Sequence, residues 1–165
     1  MIALVLGGAG SGKSVEAERL TASRAAPVTY VATWKSDAAD ADMAARVAAH
    51  QARRPSAWAT VEAGQDLPQI VARLDGTVLI DTLGTWVAGT PGFAVDASAL
   101  CRVLVARAGD TIVVSDEVGL GVHPTTAAGR QFRDALGAVN QRVAAVADPV
   151  WLVVAGRRLE LARDG

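Results

Sequence analysis

The strongest constraint on this chain sits near its start, where Gly7, Gly8, Ala9, Gly10, Ser11, Gly12, Lys13 and Ser14 follow one another. They match G-x-x-x-x-G-K-[ST] in full. Residues 2–6 before them form a short apolar strand, and residues 14–24 after them read as a helix. A glycine-rich loop in that setting turns backbone N–H groups toward phosphate oxygens, and the helix N-terminus adds a favourable dipole. The implied ligand is a nucleoside triphosphate, with Lys13 on its β- and γ-phosphates and the Ser14 hydroxyl on Mg²⁺.

The remaining pattern extends that unit. Strands are expected at 28–33, 78–80, 111–115 and 150–155, with a small edge strand at 159–161. Helices are expected over the alanine-rich stretch 39–51, over 67–74 with Asp66 as N-cap, over 97–106 behind Asp96, and over 125–147 behind Pro124. Continuous apolar strands separated by helices predict a parallel sheet covered on both faces, an α/β three-layer P-loop fold. There is no repeat or linker, so residues 1–165 read as a single domain. In such sheets chemistry gathers beyond the carboxyl ends of the strands.

Composition removes several alternatives. Of 165 residues 51% are hydrophobic and 20% charged, which excludes a disordered chain. Sixteen basic side chains against seventeen acidic ones give a net charge of −1, so no broad basic face is available for nucleic acid or an anionic membrane. One cysteine, Cys101, excludes an internal disulfide and argues against a cysteine zinc site. The longest apolar runs fall far short of a membrane span. No basic leader precedes the first glycines, and the expectation is a cytoplasmic protein. Lysine occurs twice against fourteen arginines, which makes Lys13 in the loop conspicuous.

Three further groups carry possible chemistry. Asp81 ends the strand at 78–80, either as a carboxylate beside the metal or as the cap of a turn. Asp116 and Glu117 end the strand at 111–115; Glu117 reads as a base or metal-side group, or as part of an ordinary acidic loop. His50 lies near a helix end and is followed by Gln51, Ala52, Arg53 and Arg54. An imidazole can attack phosphorus while arginines hold the phosphate, but on chemistry alone a solvated helix-end histidine is the simpler reading. His123, beside Pro124, reads as surface structure.

Taken in order, these residues resemble the bifunctional adenosylcobinamide kinase / adenosylcobinamide-phosphate guanylyltransferase family of cobalamin biosynthesis. The resemblance runs through the phosphate loop, Tyr30 to Thr33, and Asp42 through His50 with Arg54, Pro55 and Trp58. It continues through Thr60 and Glu62, Asp81 to Leu83, Val114 through Pro124, Gly129 to Asp134, Val139 to Arg142, and Ala147 to Gly156. It implies a RecA-like, mostly parallel sheet. It also implies phosphorylation of adenosylcobinamide by a nucleoside triphosphate, ATP or GTP, followed by transfer of GMP from GTP through a guanylylated histidine. His50 stands at that histidine's place. Ala32, Thr33, Trp34, Gln51, Ala52, Arg53, Arg54, Glu62 and Asp81 would line the guanine nucleotide site, with Mg²⁺ on Ser14 and Asp81. The implied partners are a corrinoid substrate and two further copies of the chain in a homotrimer. The chain departs from the family at Gly10, where arginine is usual, and at Asp116 and Gly89, where asparagine is common. Two other readings fit the residues: a guanylyltransferase with a weak or absent kinase step, and a nucleotide-binding module without chemistry.

Overall fold

The computed structural model describes residues 1–34 and 54–162. The helix expected over 39–51 lies outside them. Seven strands form one sheet: β1 Ile2–Gly7, β2 Val28–Ala32, β3 Ala59–Glu62, β4 Thr77–Asp81, β5 Thr111–Asp116, β6 Val150–Val154 and β7 Arg157–Glu160. Their spatial order is β3-β2-β4-β5-β1-β6-β7. All neighbours run parallel except β6 and β7, which form an antiparallel pair through a turn in which Ala155 and Gly156 take positive φ.

The described helices are α1 Lys13–Ala22, α2 Leu67–Val71, α3 Leu83–Ala88, α4 Ala97–Ala106 and α5 Ala127–Ala144. Side chains alternate across a strand, so each central strand feeds two cores. Ala3, Val5, Tyr30, Leu79, Ile112, Val114, Trp151 and Val153 pack with Ala17 and Leu20 of α1. On the other face Leu4, Leu6, Val31, Val78, Ile80 and Val113 pack with Leu67, Trp86, Leu100 and Leu136. Burial on both faces explains why these strands are apolar throughout rather than alternating. The three-layer expectation therefore holds.

Two elements have no counterpart among the expected ones. β3 is a four-residue edge strand with three exposed positions, so it carries little apolar signal. α3 is only six residues long and starts two residues after Asp81, with the Thr82 hydroxyl accepting a hydrogen bond from Gly84 N. The caps also differ in part. Asp96 caps α4 by accepting from Ala99 N at 2.8 Å. Asp66 precedes α2, but its side chain makes no capping bond. α5 begins later than its pattern suggested, at the residue after Thr126, whose hydroxyl accepts from Gly129 N at 3.0 Å.

Candidate active site

Sheet register places the chemical groups along one edge. Gly7 at the end of β1 pairs with Asp116 at the end of β5, and Ala32 at the end of β2 pairs with both Asp81 and Glu62. β5 lies between the strand that leads into the phosphate loop and the strand that ends in Asp81. Asp116 is thus delivered between the loop and the second carboxylate.

The loop enters α1 through Gly12, which has φ 94° and would be strained with any side chain. Ser11 N donates to Gly8 O at 3.2 Å, and Gly156 N donates to Ser11 O at 2.8 Å, which ties the loop to the β6–β7 turn. The first N–H groups of α1 have no partners within the helix, which suits them to an anion. Gly8, Ala9 and Gly10 are exposed at the mouth of the loop.

Lys13 is held at two points. Its ammonium lies 2.8 Å from Asp116 Oδ1 and donates to Gly8 O at 3.3 Å. Asp116 Oδ2 accepts from the Thr82 hydroxyl at 3.3 Å, and the carboxylate packs where a Gly84 side chain would stand. Beneath it, Asn140 accepts from Ser115 Oγ at 2.6 Å and donates to Asp116 O at 3.1 Å. The backbone that presents Asp116 is therefore fixed by a satisfied polar pair inside the core.

Ser14 Oγ donates to Asp81 Oδ1 at 3.4 Å, and the Tyr30 hydroxyl donates to Asp81 Oδ2 at 3.0 Å. Burial, and then the Asp81 charge, pushes the Tyr30 phenol far above its ordinary range, so Tyr30 stays a proton donor. The Arg54 guanidinium lies 3.5 Å from the centre of the Tyr30 ring, with Nη1 3.5 Å from Thr60 Oγ1. Thr33 is buried and donates to Thr82 O at 2.6 Å, with its hydroxyl also against that of Thr85. Trp34 is half-buried after β2, and Glu62 is exposed at the end of β3. The Asp81–Thr82 peptide is cis.

The structure thus brings together Lys13, Ser14, Ala32, Thr33, Arg54 and Asp81. His50, Gln51, Ala52 and Arg53 lie outside the described residues. Glu117 turns back on its own loop, where Oε1 accepts from Gly119 N at 2.6 Å. His123 is exposed beside Arg133, as expected of surface structure. Sequence reasoning gave no site role to Tyr30, Thr82 or Gly84. Tyr30 reads as one more apolar strand position, and only the fold aims its hydroxyl at the sheet edge.

Ser14 and Asp81 offer adjacent oxygen donors, the chemistry that suits a hard divalent cation. Among the described residues no cluster of three or more histidine, cysteine or acidic side chains is placed to hold a metal by itself. Magnesium characteristically takes one or two protein oxygens and completes its shell with substrate phosphates and water, so this donor set fits it.

Comparison with known proteins decides the family. The model of the cobinamide kinase / cobinamide phosphate guanyltransferase family matches residues 3–161. This chain belongs to that family. A bifunctional adenosylcobalamin biosynthesis protein of Salmonella typhimurium is 37% identical, over 94% of this chain and 97% of its own length. One from Pseudomonas aeruginosa is 36% identical, over 96% of this chain and 95% of its own. Among solved structures, an ATPase of a bacterial type III secretion system superposes on 92% of this chain and 50% of its own, with a TM-score of 0.58 at 10% identity. That likeness reports the P-loop fold alone. As a family member the chain is an enzyme, a kinase and a nucleotidyltransferase of cobalamin biosynthesis.

Proposed function

We propose that residues 1–165 act as one catalytic unit that runs two transfers. In the first, the hydroxyl oxygen of adenosylcobinamide attacks the γ-phosphorus of ATP or GTP, the bond to the β-phosphate oxygen breaks, a nucleoside diphosphate leaves, and the hydroxyl proton is released to water. In the second, a ring nitrogen of His50 attacks the α-phosphorus of GTP and pyrophosphate leaves. A phosphate oxygen of adenosylcobinamide phosphate then attacks the same phosphorus, the P–N bond breaks, and adenosylcobinamide-GDP is released. Covalent catalysis of this kind splits one difficult transfer into two easier ones.

The observation that carries this reading is the convergence of Lys13, Ser14 and Asp81 at the phosphate loop of a chain matched nearly end to end by the family. Lys13 would hold the β- and γ-phosphates, and the loop backbone would cradle them. Ser14 and Asp81 would hold Mg²⁺, which when bound neutralises phosphate charge. Arg53 and Arg54 would hold the phosphate attacked by His50, with Ala32, Thr33, Trp34, Gln51, Ala52 and Glu62 around the guanosine. The role of His50 rests on the family resemblance.

A cytoplasmic setting is supported by relatives named as adenosylcobalamin biosynthesis proteins; no helix among the described residues is long and apolar enough to cross a membrane. The homotrimer reading is supported by exposed aliphatic side chains on the β6–β7 ribbon, where Val154 and Leu159 are 60% and 62% accessible. A reading with guanylyl transfer and a weak kinase step is favoured by Gly10, which leaves that exposed position of the loop without the arginine usual in the family. Incubation of the enzyme with adenosylcobinamide, Mg²⁺, ATP and GTP tests both. The expected products are adenosylcobinamide phosphate and then adenosylcobinamide-GDP, with both lost in Lys13→Ala. Conversion only of pre-formed adenosylcobinamide phosphate would support the narrower reading. No conversion of either would overturn both.

A further inference from the structure

Tyr30 touches both halves of the site. It is 6% exposed and packs on the sheet face covered by α1, the helix that carries Lys13 and Ser14. Its hydroxyl donates to Asp81 Oδ2 at 3.0 Å, while Ser14 donates to the other oxygen at 3.4 Å. Both oxygens of the carboxylate are thus engaged, the closer contact coming from Tyr30. The face of its ring lies 3.5 Å from the Arg54 guanidinium, a cation–π seat for the first described residue after the His50 segment.

We propose that Tyr30 is a positioning residue with two separable tasks. Its hydroxyl orients Asp81 toward the divalent cation, and its ring face seats Arg54 beside the nucleotide phosphates. The proposal rests on the functional reading above. Outer groups that orient a metal ligand characteristically change metal affinity by tenfold or more when removed. An arginine held over an aromatic face gives up less freedom when it meets a phosphate.

The two tasks come apart in two variants. Tyr30→Phe removes the hydroxyl and keeps the ring. Tyr30→Leu removes both and keeps an apolar side chain in the core. Mn²⁺ is the metal probe, read by the loss of its free electron paramagnetic resonance signal on a complex with a non-hydrolysable GTP analogue. Analogue affinity is also measured calorimetrically in EDTA. Tyr30→Phe is expected to weaken Mn²⁺ binding about tenfold and to leave metal-free analogue affinity within about twofold of wild type. Tyr30→Leu is expected to weaken metal-free analogue affinity by roughly a further threefold, because Arg54 released from the ring gives up more freedom on meeting a phosphate.

A purely structural role would lower the melting temperature of Tyr30→Phe without moving the ratio of the two affinities. Mn²⁺ affinity unchanged in Tyr30→Phe would overturn the orienting task, and that variant alone decides it if Tyr30→Leu does not fold. Metal-free affinity unchanged in a folded Tyr30→Leu would overturn the seating task. If the wild-type chain binds the Mn²⁺–analogue complex and turns over substrate, either failure falls on Tyr30 and leaves the functional reading standing. A wild-type chain that binds no such complex would overturn both.

Discussion

Asp116 places a negative charge against the lysine that the phosphate loop presents. Its Oδ1 lies 2.8 Å from the Lys13 ammonium, and its backbone is locked by Asn140 and Ser115. A triphosphate entering the loop must share Lys13 with this carboxylate or displace it. Part-buried and shared with a hydrogen bond to Gly8 O, such a pair is worth on the order of 1 kcal/mol, which is about fivefold in affinity. Asp116→Asn keeps the shape and can still accept the Thr82 hydrogen bond. It is therefore expected to tighten binding of a non-hydrolysable GTP analogue about three- to tenfold by calorimetry. Equal or weaker binding would contradict the view that Asp116 competes for Lys13. This pairing was out of sight in the sequence, because the two residues are joined by sheet register and not by spacing.

The strand-and-helix framework was legible wherever periodicity was strong. Strands with both faces buried and long amphipathic helices announce themselves by composition, as β1, β5 and α5 do. β3 and α3 were hidden because one is exposed and the other too short to show a period. Both matter to the site: β3 places Glu62 in register with Ala32, and α3 places Gly84 against Asp116. Element packing also makes a prediction about pH. Glu16 on α1 accepts from Arg19 and from Arg158 of β7, at 2.7 and 2.9 Å. The hydrogen bond from Arg19 is the largest cause that holds its carboxyl below the usual range, with burial opposing it and Arg158 adding to it. A carboxyl depressed in the folded state stabilises the fold above its unfolded pKa, and that contribution is lost as pH falls through the folded one. Glu16→Gln is thus expected to lower the melting temperature by about 1–3 °C at pH 7, with the difference from wild type shrinking below about pH 4. A difference that persists unchanged at about pH 3 would show that the tie acts through packing and not through charge.

At the scale of the whole molecule, the order β3-β2-β4-β5-β1-β6-β7 gathers the described candidate groups at the carboxyl edge of the sheet. The phosphate loop could be read as chemistry from the residues alone, because glycine spacing carries its meaning locally; Asp81 could not, since a strand-ending acid also caps turns, and only the fold sets it against Ser14. Tyr30 could not, since its role depends on residues distant in sequence meeting at that edge. His50 was singled out by resemblance, where its chemistry alone left it ambiguous. Everything proposed for the second transfer turns on a covalent guanylyl group carried by that histidine. Wild type and His50→Ala are each mixed with Mg²⁺ and GTP labelled at the α-phosphate, denatured, and tested for protein-bound label that is labile to acid and stable to base. The expected result is label on the wild type and none on the variant. A wild type that binds GTP yet takes up no label, or a variant labelled equally, would contradict the covalent mechanism.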